Sequence, residues 1–348
     1  MSQNWMRHFE LQVLDNAGKG IDLGGFKVTF DIQWFNLSSQ TRVGTFRIYN
    51  LAPETVQHIM GKEYSRVRAI VGYDGIAPEV TADQVGVARP VDPDKVGQSN
   101  GRNNGVIFDG EIRYSITGKE NPVDSYVLIQ ATDSQQAYST SITHETLAAG
   151  YTVADTQKAL MRTFAVNGAE QGNLPAMPPT VFPRGRTMLG MTRDYMDNVA
   201  QQCTATWMFV DGKMEMVADN EVVHEAIELN GDTGLIGRPQ QTIDNGLNAR
   251  ILINPNVRVN GLVWLNQRIN QAVLPAGDTR LSPGQTAAQH TDAKRNIDLP
   301  ESQAMPPGSA TDGVYKVVSI VYTGDTQGLD WYMDLICEAY DAQYLLSQ

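Results

Sequence analysis

Residues 313–341 carry a clear alternation. A β-branched run, GVYKVVSIVY, meets a turn with Gly and Asp. Beyond it Trp331, Met333, Leu335, Cys337 and Ala339 fall on one side and Asp330, Asp334 and Glu338 on the other. A period of two is that of a half-buried strand, and two runs across a short polar turn predict an antiparallel hairpin. A second stretch, GVIFDGEIRYSITGKENPVDSYVLIQATD at 105–133, has the same form. Aligned without a gap at an offset of 208 residues (Gly313 on Gly105), Val314 falls on Val106, Ile320 on Ile112, Tyr322 on Tyr114 and Ala339 on Ala131. The pattern implies two copies of one β-unit.

Elsewhere the same logic assigns the chain piece by piece. In residues 26–34, Phe26, Val28, Phe30, Ile32 and Trp34 oppose Lys27, Thr29, Asp31 and Gln33, which predicts a strand. GTFRIY at 44–49 predicts another. Pro53, Glu54 and Gly61 mark the two ends of a short helix, and 68–73 returns to strand. Residues 76–104 are rich in Pro, Asp, Gly, Asn and Gln, a length that marks a functional or disordered excursion. From Tyr151 the period lengthens to 3.6. Thr152 and Asp155 resemble a capping box, with Asp in place of Glu or Gln, ahead of the stripe Val153, Leu160, Met161 and Phe164. After a Pro-rich connector, a helix is predicted over 189–203 with Tyr195, Met196, Val199, Ala200 and Cys203 on one face. Residues 206–217 form a tight hairpin about Asp211-Gly212. Strands follow at 226–229, 249–253 and 257–265, then a second polar excursion at 275–312. The expected fold is mainly β (α+β): a first β-domain over 1–140 with the long loop 76–104, a small α/β module over 141–222, and a second β-domain over 223–348 with the long loop 275–312.

Composition narrows the function classes. The 348 residues suffice for two or three domains, and 41% hydrophobic with 19% charged residues is ordinary for a globular protein. No run approaches the ~20 apolar residues of a membrane span, and the amino terminus lacks the apolar core of a signal peptide, so a cytoplasm-like compartment is expected. A net charge of −12 argues against a surface that grips nucleic acid, though not against one past which nucleic acid slides.

Candidate chemistry is sparse. Cys203 and Cys337 lack paired spacing and are expected to be two packed thiols. His8, His58, His144, His224 and His290 are scattered without metal-ligand spacing. There is no G-x-S-x-G, H-E-x-x-H, P-loop or dinucleotide fingerprint. Asp92, Asp94, Asp325 and Asp330 read as solvated loop carboxylates rather than cation ligands, since a calcium-loop pattern is missing. Arg184 and Arg186 read as partners for acids of a neighbouring domain. Residues 233–239, TGLIGRP, read as a tight turn rather than a phosphate cradle. No catalytic, cofactor-binding or metal residue is predicted.

Four segments together resemble baseplate hub proteins of tailed phages: TFRIYNLAPETVQHI (45–59), TMLGMTRDYMDNVAQQCTATWMFVDGKMEMV (187–217), TGLIGRPQQTIDNGLNARILINPNVRVNGLV (233–263) and GVYKVVSIVYTGDTQGLDWYMDLICEAY (313–340). The arrangement is also similar to the amino-terminal part of type VI secretion spike proteins. The two long loops lie outside the resemblance. It implies two β-barrel domains related to tail-tube proteins, and three subunits forming a pseudo-sixfold ring between a sixfold tube and a threefold spike. The implied partners are further copies of the chain, tail tube proteins, the central spike and other baseplate proteins, with DNA only in transit and no membrane insertion. The implied location is the tail baseplate of a virion, assembled in the bacterial host cytoplasm, with no cofactor. Acidic residues along the bore would keep DNA from sticking, so the bore is expected to be negative or neutral. The alternatives are a tail-associated wall hydrolase using loop carboxylates, and the hub of a phage-like bacteriocin or secretion machine.

Overall fold

In the computed structural model the described residues are 6–36, 41–61, 63–74, 89–90, 103–219, 221–231, 233–241, 246–265 and 313–340. The first part comprises β1 (Arg7–Leu14), β2 (Gly20–Asp22), β3 (Val28–Phe35), β4 (Val43–Tyr49), α1 (Pro53–Met60), β5 (Arg66–Tyr73), β6 (Arg89–Pro90), β7 (Asn103–Lys119) and β8 (Ser125–Thr132). The middle holds α2 (Gln135–Thr140), β9 (Ile142–Leu147), α3 (Val153–Val166), β10 (Glu170–Gln171), β11 (Arg186–Met191), α4 (Thr192–Gln202), β12 (Ala205–Val210) and β13 (Lys213–Ala218). The last part has β14 (His224–Leu229), β15 (Leu235–Gln241), β16 (Leu247–Leu252), β17 (Gly261–Leu265), β18 (Gly313–Asp325) and β19 (Trp331–Ala339). The fold is mainly β, as the alternation predicts. Among the described residues no helix is long and apolar enough to cross a membrane.

Fourteen of these strands join in one sheet, in the order β15-β16-β19-β18-β3-β4-β8-β7-β5-β1-β2-β6, with β17 on β18 and β14 on β17. Two runs within it share one plan. The order β3-β4-β8-β7-β5 in the first part is repeated as β15-β16-β19-β18-β17 in the last. Beyond these runs the plan diverges, because β1 meets β5 antiparallel and β14 meets β17 parallel. The two runs fuse where β18 pairs with β3, Ile320 opposite Trp34 and Tyr322 opposite Ile32. The two β-units predicted from sequence thus share a continuous sheet.

The hydrogen-bonded register corrects the gapless alignment. Ile112 lies opposite Ala131 and Tyr114 opposite Gln130, with a bulge at Arg113; Val317 lies opposite Cys337 and Ser319 opposite Ile336, with a bulge at Val318. Matching bulge to bulge gives an offset of 205 in the first strand (Val318 on Arg113) and 206 in the second (Cys337 on Ala131). An odd shift moves every side chain to the other face. Tyr114, aligned by sequence with Tyr322, is 44% exposed whereas Tyr322 is 1% exposed. Trp331, Met333, Leu335 and Cys337 are buried as predicted; Ala339 is exposed, since it lies past the last residue of β19 that pairs with β16.

The sheet curls until its first strand meets its middle. Phe9 of β1 stacks on Phe30 of β3 at 5.5 Å, and Trp331 of β19 packs edge-on to both at 6.1 and 5.6 Å. Arg7 lies over the Trp331 ring and donates to the carbonyls of Asp325, Gly328 and Leu329 in the β18–β19 turn. One core therefore collects Leu11, Val13, Val28, Phe30, Ile32 and Trp34 together with Ile320, Tyr322 and Leu335.

The middle part has its own core about Trp207, Phe164, Met196 and Phe209. α3 begins with the expected capping box, Thr152 and Asp155 bonding each other's backbone N–H, and its stripe is buried. The predicted helix over 189–203 starts later, at Thr192. Leu189 instead extends in β11, opposite His144 of β9, with the Tyr195 hydroxyl bonded to its backbone N–H and carbonyl. The β12–β13 hairpin forms as predicted. The strand expected over 257–265 pairs only from Gly261, residues before it forming turns. Apart from Arg89–Pro90 and 103–104, the excursion 76–104 lies outside the described residues, as does all of 275–312.

Candidate functional site

The sheet face that does not enter the core is a continuous polar surface. Its cross-strand rows follow from the register. One row reads Ile236, Arg250, Asp334, Val321, Gln33, Val43 and Thr132; the next reads Leu252, Tyr332, Thr323, Asp31, Thr45, Gln130 and Tyr114. A third carries Asp325, Thr29, Arg47, Leu128 and Ile116. Hydroxyls, amides and aliphatic side chains share these rows with two tyrosines, and the formal charges, two Arg and three Asp, nearly balance.

Both cations of these rows are tied down. Arg250 grips Asp334 through two bonds of 2.7 and 3.0 Å and lies 3.9 Å over the Tyr332 ring. Arg47 lies over the Tyr126 ring at 4.8 Å. A guanidinium held on a carboxylate or an aromatic face is less available to a passing phosphate. Along these rows the face is suited to contact without adhesion, and Arg113 borders the first of them beside Gln33, Val43 and Thr132.

Behind the sheet a buried ionic cluster joins all three parts of the chain. Arg42, just before β4, is fully buried between the Trp34 and Phe108 rings. It donates to the Ile107 carbonyl and the Asp133 carboxylate, each at 3.1 Å, and to Asp211. Asp211 sits in the β12–β13 turn, where φ of +52° at Asp211 and +83° at Gly212 is the backbone of a tight hairpin turn. That turn aims both N–H groups at Asp133, at 2.7 and 3.1 Å. Arg258, ahead of β17, closes the set by donating to Asp211 at 3.1 Å. Burial opposes ionisation of Asp211, but Arg42 and Arg258 outweigh it and hold its carboxyl below the usual range. At Asp133 burial prevails over the pull of Arg42 and raises the carboxyl.

The residues singled out from sequence do not converge. His8 bonds Asp74 and Glu10, and His58 bonds Glu63. His144 and His224 lie in separate strands, and His290 is outside the described residues. No group of three or more His, Cys, Asp or Glu among the described residues could hold a metal ion. Cys203 is half-buried at the end of α4, Cys337 is buried in β19, and both are free, as packed thiols should be. Asp325 accepts from the Gln327 and Gly328 N–H groups and shapes its turn, while Asp92 and Asp94 are outside the described residues.

Two expectations need correcting. Arg186 lies over the Tyr195 ring, and neither it nor Arg184 forms an ion pair among the described residues. In 233–239 only the start is a turn, held by Asn230 and Thr233; the rest is β15, kinked at Gly237. Sequence reasoning missed Arg42, Asp133 and Arg258, which are adjacent only after folding. The Asp211-Gly212 pair was the one visible signal.

No family model matches the chain, and no curated protein does. Solved structures do. The 43 kDa tail protein of prophage MuSo2 from Shewanella oneidensis matches with a TM-score of 0.55 at 8% identity, over 97% of this chain and 98% of that one. The tail protein from Neisseria meningitidis MC58 matches with a TM-score of 0.52 at 10% identity, over 97% and 98%. A component of the E. coli type VI secretion system, c3393, aligns with a TM-score of 0.46 at 9% identity, over 95% and 77%. Along nearly its whole length, the chain has the fold of the two tail proteins.

Proposed function

We propose that this chain is a structural hub of a phage-tail baseplate: three copies form a pseudo-sixfold ring that joins the tail tube to the central spike and surrounds the DNA channel. The repeated strand order carries this reading. One chain supplies two consecutive sectors of one wall, β3-β4-β8-β7-β5 and β15-β16-β19-β18-β17, fused at β3–β18. Three such chains supply six similar sectors, which reconciles a threefold partner on one side with a sixfold partner on the other. The fold shared with two tail proteins supports the setting, a virion tail assembled in the bacterial host cytoplasm, with tube, spike and other baseplate proteins as neighbours. The role is structural, with no cofactor and no membrane insertion.

In this reading the two sectors are tube-like domains, within 1–140 and 223–348, and 141–222 is the accessory module between them. The polar face lines the bore, where near-balanced charge lets DNA pass. Molar mass by light scattering, followed by averaged end-on particle images, tests the proposal. A trimer with six lobes about a channel is expected; a protein that stays monomeric both alone and with its spike overturns it.

A further inference from the structure

We infer that a cleft between the sheet and the middle part of the chain binds a carboxylate side chain on an acidic segment of a partner protein. The cleft has a volume of about 300 Å³ and lies at one margin of the polar face. Phe35 of β3, Val43 of β4 and Thr132 of β8 line it from the sheet, and Tyr138 of α2 and Arg193 of α4 line it from the middle part. Arg113 of β7 completes the lining, so two guanidiniums share one cleft. Arg113 is the extra residue of the β7 bulge, a device that re-aims a side chain. It is exposed and forms no hydrogen bond or ion pair among the described residues. Glu111, two positions earlier, accepts instead from the Gln136 N–H at 2.8 Å. In this Arg113 differs from Arg47 and Arg250, which are held in place.

Arg193 is braced and keeps donors to spare. It lies 5.0 Å over the Tyr138 ring and donates to the Tyr138 carbonyl at 3.3 Å. Its Nε stands 3.6 Å from the Asp194 carboxylate, an ion pair too long for a hydrogen bond. A guanidinium offers five donors in a planar fork matched to a carboxylate. Thr132, 2% exposed, adds a hydroxyl without a hydrogen-bond partner among the described residues, a group that a bound oxygen would satisfy. The remaining lining selects the ligand. Phe35 and Val43 are half-buried apolar walls suited to the methylene stem of a glutamate, and a phosphate has nothing to place there. A duplex is too wide for a cleft of this size, and the net charge of −12 opposes its approach. One chain is enough to form the cleft, with or without a ring.

Fluorescence anisotropy tests the site. The probe is a labelled peptide in which glutamates alternate with serine and glycine, titrated with the full chain at low salt. Saturable binding that weakens as salt rises is expected, with none for the same peptide carrying glutamine in place of glutamate. Arg113→Gln and Arg193→Gln are each expected to weaken binding about tenfold with an unchanged circular dichroism spectrum. Lys158→Gln, an equal change of charge at an exposed position of α3, is expected to leave affinity as it was. Absence of binding to the parent chain, or losses no larger in the two arginine variants than in Lys158→Gln, overturns the inference. A short labelled duplex that binds as well as the peptide, and is released by Arg113→Gln, assigns the cleft to phosphate and overturns it too. Peptide binding by a chain that stays monomeric keeps the cleft even where the ring fails.

Discussion

Arg42 and Asp133 meet at 3.1 Å with their side chains 0% and 1% exposed. Neither is a neighbour of the other in sequence, and the turn that completes their cluster comes from the middle part of the chain. Replacing such a cluster wholesale by apolar groups can be neutral, but removing one partner strands a buried charge. Asp133→Ala leaves buried Arg42 with Asp211 as its one carboxylate and the Asp211 and Gly212 N–H groups without their acceptor, and is expected to cost about 3–5 kcal/mol. Arg258→Ala should cost less, because Arg258 is partly exposed and Arg42 still holds Asp211. Urea unfolding of both variants checks the order.

The contact of Phe30 with Gly324 gives a second prediction. The two residues are directly opposed, and a Cβ at Gly324 would sit 2.2 Å from the Phe30 ring. Gly324→Ala is expected to lose about 1–3 kcal/mol through overpacking. Phe30→Ala is expected to lose about 3–5 kcal/mol, because Phe9 and Trp331 lose their shared partner. Combining the two should cost less than the sum, and a thermal-melt double-mutant cycle reads that coupling.

A pH dependence is built into the start of β1. Burial drives His8 toward the neutral form, but its bonds to Glu10 and Asp74 and their charges outweigh this and raise its pKa above 6.5. A raised folded pKa stabilises the protein below the unfolded value and loses that stabilisation as pH climbs through the folded one. The melting temperature should fall from about pH 6 to 8, and His8→Gln should flatten that part of the profile.

The polar face predicts how the protein treats DNA. With both row cations engaged and a net charge of −12, the parent chain is expected to leave duplex DNA unshifted in a gel at moderate salt. Gln33→Lys with Asn248→Lys adds free cations to exposed positions on that face, and a retarded band that disappears as salt rises is expected. Binding by the parent chain would count against a channel wall of this kind.

Much of the fold was legible because burial writes a period into the sequence. Val28 to Trp34 and Trp331 to Cys337 alternate cleanly since one face of each is core. Thr152 and Asp155 announce a helix because capping is local chemistry. β1 carries the same alternation in Phe9, Leu11 and Val13. What could not be read was pairing. Nothing local tells Trp34 that Ile320 will lie beside it, and bulges at Arg113 and Val318 displaced the register without disturbing composition. The Arg42 cluster was hidden for the same reason, its members being ordinary polar residues until three distant turns converge.

The clasp of Arg7 on the turn at Gly328 spans 321 positions of sequence. A ribosome emits β1 and β3 long before it emits the strands they close on. Until then β3 offers a bare flank on which β18 has yet to settle, and Phe9 lacks Trp331. Every nascent chain thus passes through a period in which one flank of β3 is uncovered, and crowded synthesis favours capture of that flank by a sister chain. A polypeptide interrupted before β18 retains an uncovered β3, which marks it for chaperones and proteases rather than for assembly.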